Sequence, residues 1–420
     1  MKARASVNTV VLVIYIIIAF FHQPLNLSYF PEIVTLLMAG YILTEFFKTG
    51  KMSKFIGKII LLFLGIVLVG LIGNAKSGIT RSTTILLMDI FYIAKDFICF
   101  CGAWLLFQKV NNKSEVVKAL GSVAKFITAV AFVFMIVNMA VGIGMSDDVR
   151  YGIPSFKFVF DSSAWLSQHW IIIIILLTAN LQYDHKKNNK IYIGCALLVW
   201  MMTLRSRAFV MVAIYCAMWF WLVKGKQKKD YEKHLFRLKN IVPALILVVL
   251  IGYDQLENYF LGEKISARSL LLTTGIKIMK DYFPFGTGFA TFGTEMARRF
   301  YSPIYYTYGL NTFWALKEGG KELTDCYWPA IFGETGIIGT ILIAIVIYMI
   351  FRDCIKRSKQ DLFIFMSIVL YEAYLLISST ATGIFTSDLT AMYMIIVALL
   401  VCAKDDYNSR GDKYGNDCII

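Results

Sequence analysis

The chain has 420 residues, of which 58% are hydrophobic and only 17% charged. A soluble domain of that length would split its apolar residues between polar faces, whereas here they stand in unbroken blocks, which excludes an ordinary water-soluble core. The net charge of +14 comes from Lys and Arg lying between those blocks, which points to orientation in a membrane and argues against nucleic-acid binding.

In chain order the blocks are Val7–Phe21, Phe30–Phe47, Phe55–Ile72, Ile85–Phe107, Phe126–Ile143 and Ala164–Leu181, then the shorter Ile191–Thr203, then Ala208–Val223. The short Ile241–Tyr253 follows, and last come Ile331–Phe351, Leu362–Ile377 and Leu389–Ala403. Runs such as Ile171–Leu177 do not alternate, so a barrel is excluded and helices are predicted. With about twelve spans and the N-terminus in the cytoplasm, the cytoplasmic tails and loops hold 26 of the 42 basic residues. The short external loops then hold six: Lys76, Arg81, Arg150, Lys157, Arg205 and Arg207. Omitting either short block would put strongly basic loops on opposite sides, so both count as spans. The expected fold is an all-α, polytopic transmembrane bundle. Residues 1–253 form its N-terminal part, 254–328 a long external loop, and 329–420 three further spans with a cytoplasmic tail. The first block has no convincing cleavage site and is expected to stay as an anchor. Of eight cysteines only Cys326 falls outside, so neither a disulfide framework nor a cysteine zinc site is expected.

The long loop is the exceptional segment. Between Asp281 and Trp328, 14 of 48 residues are aromatic, about twice the chain average, so it is predicted to be folded. It opens with an amphipathic helix that Ser266 can cap, carrying Arg268 among apolar residues and suited to the membrane interface. Pro284–Phe289 (PFGTGF) breaks that helix, and Gly286 and Gly288 allow either an ordinary turn or close backbone approach to a ligand. Arg298, Arg299, a tyrosine-rich stretch (Tyr301, Tyr305, Tyr306, Tyr308) and Asp325-Cys-Tyr327-Trp328 follow. Such aromatics serve either as an interfacial belt or as a sugar-binding groove, and the cluster favours the groove.

Other ionisable residues stand out against the apolar background. Arg205 and Arg207 lie in a short external turn where cations oppose the positive-inside pattern, so an anion should accompany them. Diphosphate suits the guanidinium fork, with headgroup phosphate or a bundle carboxylate as the alternative. Asp89, Lys95 and Asp96 share the fourth span and can neutralise one another or line an ion path. Glu372 lies in the eleventh span. Asp147-Asp148 reads as a solvated turn rather than a cation site, and His169 as a bundle histidine rather than a catalytic one.

The ordered set of Ser206-Arg207 at a span start, Arg268 on an external helix, PFGTGF, and DCYWPAIFGETGIIG entering the next span resembles the bacterial O-antigen ligase and polymerase superfamily, in its polysaccharide-polymerase branch. The likeness covers about a third of the chain, between Thr203 and Thr340. It implies a membrane glycosyltransferase that joins polyprenyl-diphosphate-linked oligosaccharide repeats at the external face of the bacterial cytoplasmic membrane. The expected product is a surface polysaccharide: O-antigen, capsule or exopolysaccharide. The resemblance implies diphosphate binding by Arg207 and Arg268; Arg205, Arg298, Arg299, Tyr327, Trp328, Gly286 and Gly288 are the further candidate substrate contacts that the residues themselves suggest. No metal or cofactor is expected, and the partners would be membrane lipids, a chain-length regulator and a flippase. The ligase branch has a histidine in the long loop; this loop has none, and Asp325 holds the comparable place.

Chemistry alone adds that a lipid-diphosphate leaving group gains from preorganised arginines, and the attacking hydroxyl from a carboxylate base. Asp325 is the favoured base among Asp325, Glu295, Glu318, Glu322 and Glu334. A flippase or transporter for the same lipid-linked sugars is the rival of a different class; a ligase is the third reading.

Overall fold

The computed structural model describes residues 7–224, 231–235 and 265–414, with single positions between 236 and 264. The protein is mostly helical, and among the described residues eight helices are long and apolar enough to cross a membrane. Three more apolar helices are shorter: Asn8–Phe21, Asn189–Met201 and Asp388–Ala403. Each predicted block within the described residues is helical; the expected span at Ile241–Tyr253 lies outside them.

The helices are α1 (Val7–Phe21), α2 (Phe30–Thr49), α3 (Lys54–Ser77), α4 (Thr83–Lys109), α5 (Lys113–Val141), α6 (Ser163–Asn180), α7 (Asn189–Met201), α8 (Ser206–Met218) and the short α9 (Tyr231–Leu235). After the undescribed stretch come α10 (Ala267–Asp281), α11 (Glu295–Arg299), α12 (Pro303–Thr307), α13 (Tyr327–Ser358), α14 (Leu362–Ser379) and α15 (Asp388–Tyr414). Side-chain caps set several starts: Ser82 Oγ accepts from Ile85 N–H, and Ser162 Oγ accepts from Trp165 N–H.

Burial sorts the bundle into centre and perimeter. The Ile171–Leu177 run of α6 is buried all round, packed by α5, α7 and α14. By contrast α2 and α3 turn Leu36, Leu37, Leu61, Leu64 and Leu68 outward. A helix face with that many exposed leucines needs an apolar solvent, and lipid supplies it. Helix α5 begins at Lys113, well before its apolar block at Phe126, because Val116, Val117, Leu120 and Ala124 form a buried stripe behind the intervening lysines.

Two features depart from a plain bundle. An antiparallel hairpin pairs β1 (Ser146–Arg150) with β2 (Ile153–Phe156) through Tyr151-Gly152, both at positive φ as a tight two-residue turn requires. Helix α13 is interrupted at Gly336, whose φ of 58° and ψ of −160° no helix contains. Its first segment packs on α10 and its second runs along α3.

Candidate functional site

The break in α13 is filled by the PFGTGF segment. Thr287 N–H donates to Gly333 O at 2.9 Å and Gly288 N–H to Glu334 O at 2.8 Å. Glu334 Oε1 then accepts three bonds: from Thr291 N–H at 2.8 Å, Phe292 N–H at 3.0 Å and Thr294 Oγ1 at 3.0 Å. Asp89 Oδ2 accepts from Ala290 N–H at 2.8 Å, and Asn74 brackets Phe289 from both sides, at 2.9 and 3.0 Å. A Cβ on Gly286 would stand 2.5 Å from Gly333 O, and one on Gly288 2.3 Å from Asn74. These glycines therefore allow close approach to the protein's own backbone, and the space a ligand would need beside them is occupied. Glu334, counted above among external carboxylates, is wholly buried as the clamp on this segment.

The clamped segment supports a small core of its own, in which Leu271 and Ile278 of α10 meet Phe292, Tyr305, Leu316 and Leu323. The aromatic loop is thus folded. Its tyrosines divide: Tyr305 is buried and accepts from Gly293 N–H at 2.9 Å, while Tyr301 donates to Leu316 O and Tyr308 to Asp281. Phe283, Phe300, Tyr306 and Trp314 stay exposed and offer faces to a ring-stacking partner. Helix α10 starts in a capping box between Ser266 and Ser269. It lays Ala267, Leu271, Gly275 and Ile278 toward the protein, with Gly275 against Pro329 of α13.

That docking carries Arg268 to Asp325: Nη2 stands 3.3 Å from Oδ2. Burial pushes the Asp325 carboxyl above the ordinary aspartate range; the Arg268 guanidinium pulls it back only in part, and Glu322 pushes it further up. The next residues are anchored to the end of α14. Cys326 Sγ donates to Thr380 O at 3.7 Å, and Trp328 Nε1 donates to Ser379 Oγ at 2.9 Å. Burial raises the Cys326 thiol to about 12, which leaves it unreactive.

Arg207 reaches the same helix at Tyr374. Its Nη1 donates to Tyr374 Oη at 3.5 Å, with the guanidinium carbon 5.8 Å from the ring centroid. No ion pair to Arg207 is present among the described residues. Tyr374 and Ser379 are five positions apart on α14, a rise of about 7.5 Å along the axis. Arg207 and the Cys326–Trp328 stretch that follows Asp325 are therefore both anchored near the C-terminal end of α14.

Other candidate residues are engaged elsewhere. Arg205 Nη2 pairs with Asp147 at 3.2 Å and Asp148 at 3.4 Å, and its Nε donates to Ser163 Oγ at 2.9 Å. The anion beside Arg205 is thus a carboxylate pair of the hairpin, and Asp147-Asp148 is a structural anchor instead of a solvated turn. Arg298 and Arg299 both bind Glu295, at 2.6 and 2.7 Å. Burial alone would raise the Glu295 carboxyl; the two arginines more than offset it and leave it below its usual range. Glu318 is exposed, and Glu322 opens a single 3-10 turn beside Asp325.

On α4, Asp89, Lys95 and Asp96 do not neutralise one another. Lys95, 1% exposed and about 18 Å down the helix from Thr83, pairs with Asp388 at the start of α15, 293 residues away in the chain. Sequence spacing offered no signal for that partner. Glu372 is buried in α14. His169 is packed by Phe20, Phe160 and His22 and bonds Trp165 O at 2.9 Å, as a bundle histidine does. Among the described residues no group of three or more His, Cys, Asp or Glu could hold a metal ion.

No protein-family model matches the chain, and no curated protein matches it.

Proposed function

We propose that this protein is a polymerase that joins polyprenyl-diphosphate-linked oligosaccharide repeats into a surface polysaccharide at the external face of a bacterial cytoplasmic membrane. It would cross that membrane about twelve times, with both termini in the cytoplasm and the 254–328 segment outside. The observation that carries the reading is the pairing of Arg268 with Asp325 beside the α14 end that also anchors Arg207. Two guanidinium groups and one carboxylate are what glycosyl transfer from a lipid diphosphate needs, with no metal required to hold the charge.

The pair supplies a sequence of events. A diphosphate entering between the arginines competes with Asp325 for the Arg268 guanidinium, since both are oxyanions suited to the same fork. The displaced carboxylate is then free to take the proton from an acceptor hydroxyl. That hydroxyl attacks the anomeric carbon, the bond from carbon to diphosphate oxygen breaks, and the polyprenyl diphosphate leaves with the electron pair against Arg207 and Arg268. Exposed Tyr306 and Trp314 offer faces for the growing glycan.

A carboxyl held above the ordinary aspartate range loses its charge earlier as pH falls. The extension rate in sealed vesicles is therefore expected to fall on the acid side at a pH above that range. A rate that holds until the external pH enters the ordinary aspartate range would remove Asp325 from the base role.

A flippase for the same lipid-linked sugars is the second reading, favoured by the helix break at Gly336 and the ion pair of the buried Lys95 with Asp388, both features of transporter bundles. Deleting the gene in its host separates the two. A polymerase leaves single lipid-linked repeats exposed on the outer face and no long chains, whereas repeats confined to the inner face would establish the flippase.

A further inference from the structure

Helices α7 and α8 pack side by side and leave a groove of about 450 Å³ between them, within the size range of cavities that hold small ligands. Lys190, Ile193, Gly194 and Leu197 form its α7 wall, at the three- and four-residue spacing of a single helix face. Cys216 and Trp219 stand on the opposite wall. Trp219 stacks on the buried Tyr215, with 6.1 Å between ring centroids, and begins the π-helical turn Trp219–Lys224. Gly194 keeps the groove open, since a Cβ there would meet nothing within 4 Å. Both Gly194 and Cys216 are exposed.

The groove is apolar along its length and basic at one end. Lys190 lies in the first turn of α7, and Leu197 is about 10 Å further along the axis. The Lys190 Nζ stands 5.8 Å from the Trp219 ring centroid, which holds the ammonium across the mouth. No ion pair to Lys190 is present among the described residues, and the acid six residues before it, Asp184, is taken by Lys125 at 2.9 Å. His185, Lys186 and Lys187, just ahead in the chain, are exposed. With 13 residues α7 rises only about 20 Å, against about 30 Å of hydrocarbon. Its first turn is therefore drawn below the headgroups unless the bilayer thins around it. An ammonium at that depth calls for an anion, and in a groove open to lipid the anion at hand is a phosphate.

We propose that the groove between α7 and α8 holds one acyl chain of an anionic phospholipid, whose phosphate meets the Lys190 ammonium at the mouth. The chain lies along Ile193, Gly194 and Leu197, and Cys216 and Trp219 close over its other side. In the proposed orientation this end of α7 faces the cytoplasm, the leaflet where anionic lipid attracts basic segments. Arg207 stands at the opposite end of α8, about 18 Å from Trp219 along the axis. The groove is therefore separate from the candidate site for glycosyl transfer, and its occupant is a lipid of the bilayer and not the sugar donor.

The test is photolabelling of the full chain in phosphatidylcholine nanodiscs, with a trace of phosphatidylglycerol or phosphatidylcholine carrying a diazirine in one acyl chain. The phosphatidylglycerol probe is expected to label residues 189–220 about fivefold more than the phosphatidylcholine probe, the preference that one lysine gives at an anionic headgroup. Lys190→Gln should bring the two probes level. Gly194→Leu should abolish labelling of the groove by either, and because leucine forms helix better than glycine its Tm should not fall. Equal labelling by the two probes in the wild type would overturn the proposal, as would a phosphatidylglycerol preference that survives Lys190→Gln. A label displaced by polyprenyl phosphate but not by unlabelled phosphatidylglycerol would make the occupant a polyprenyl lipid and also overturn it. Absence of label from the groove would do the same, and Cys216 refusing a maleimide would then show that protein covers the site. No glycan transfer enters the measurement, so its failure leaves the polymerase reading untouched.

Discussion

Replacing Arg268 by alanine is expected to cut polymer formation by about 100-fold or more at matched protein level, the usual cost of losing one preorganised donor to a developing oxyanion. The wild-type ladder of long chains should collapse to single lipid-linked repeats, accumulated on the outer face. Arg268→Lys keeps the charge but loses the planar fork, so it should fall between the two. Asp325→Asn removes the base while leaving an isosteric neighbour for Arg268, and should also abolish the ladder. The rival account is that Arg268 and Asp325 merely fasten α10 to the loop ahead of α13. An exposed or half-buried ion pair is worth little to a fold, so that account predicts lower protein yield with normal chains from the molecules that remain. Chain length at equal protein level therefore discriminates; an unchanged ladder in Arg268→Ala removes the residue from the site.

How much of this was legible beforehand depends on the range of the interaction. Helix positions were, because hydrocarbon length and apolar composition act locally along the chain. Helix α5 shows the limit of composition: Lys113, Lys118 and Lys125 hid the stripe of Val116, Val117, Leu120 and Ala124, which a search for 3.6-residue periodicity would have found. The hairpin was missed although Tyr151-Gly152 carried a turn signal, its strands being only five and four residues long. Arg207, Arg268 and Asp325 could each be singled out by type and place, but not paired, since 57 residues separate the latter two and only the docking of α10 on α13 unites them. Chemistry alone also misassigned partners: Arg205 satisfies its charge on Asp147 and Asp148, and Lys95 on Asp388 rather than on its helix neighbours. Long-range partners of buried charges are set by how helices rotate against each other, which a single sequence does not state.

Glu334→Ala is expected to be the most damaging substitution to the fold, lowering stability by about 3–5 kcal/mol. The carboxyl is a hub: Oε1 alone satisfies Thr291 N–H, Phe292 N–H and the Thr294 hydroxyl, all in a segment with no water to replace it. Alanine would orphan three donors at once and open a void where α13 breaks. Asp89 holds Ala290 N–H of the same segment beside it. Glu334→Gln retains a carbonyl acceptor for the three donors, so it should cost far less. Asp89→Asn should likewise be mild, since its amide oxygen can still accept from Ala290 N–H. The measurement is the midpoint of thermal unfolding for the three variants, with limited proteolysis of the 282–294 segment read in parallel. Glu334→Ala should expose that segment to cleavage, and Glu334→Gln should not. If alanine and glutamine prove equally harmful, the charge of Glu334 matters beyond its role as an acceptor, and the account of the clamp as an acceptor hub fails.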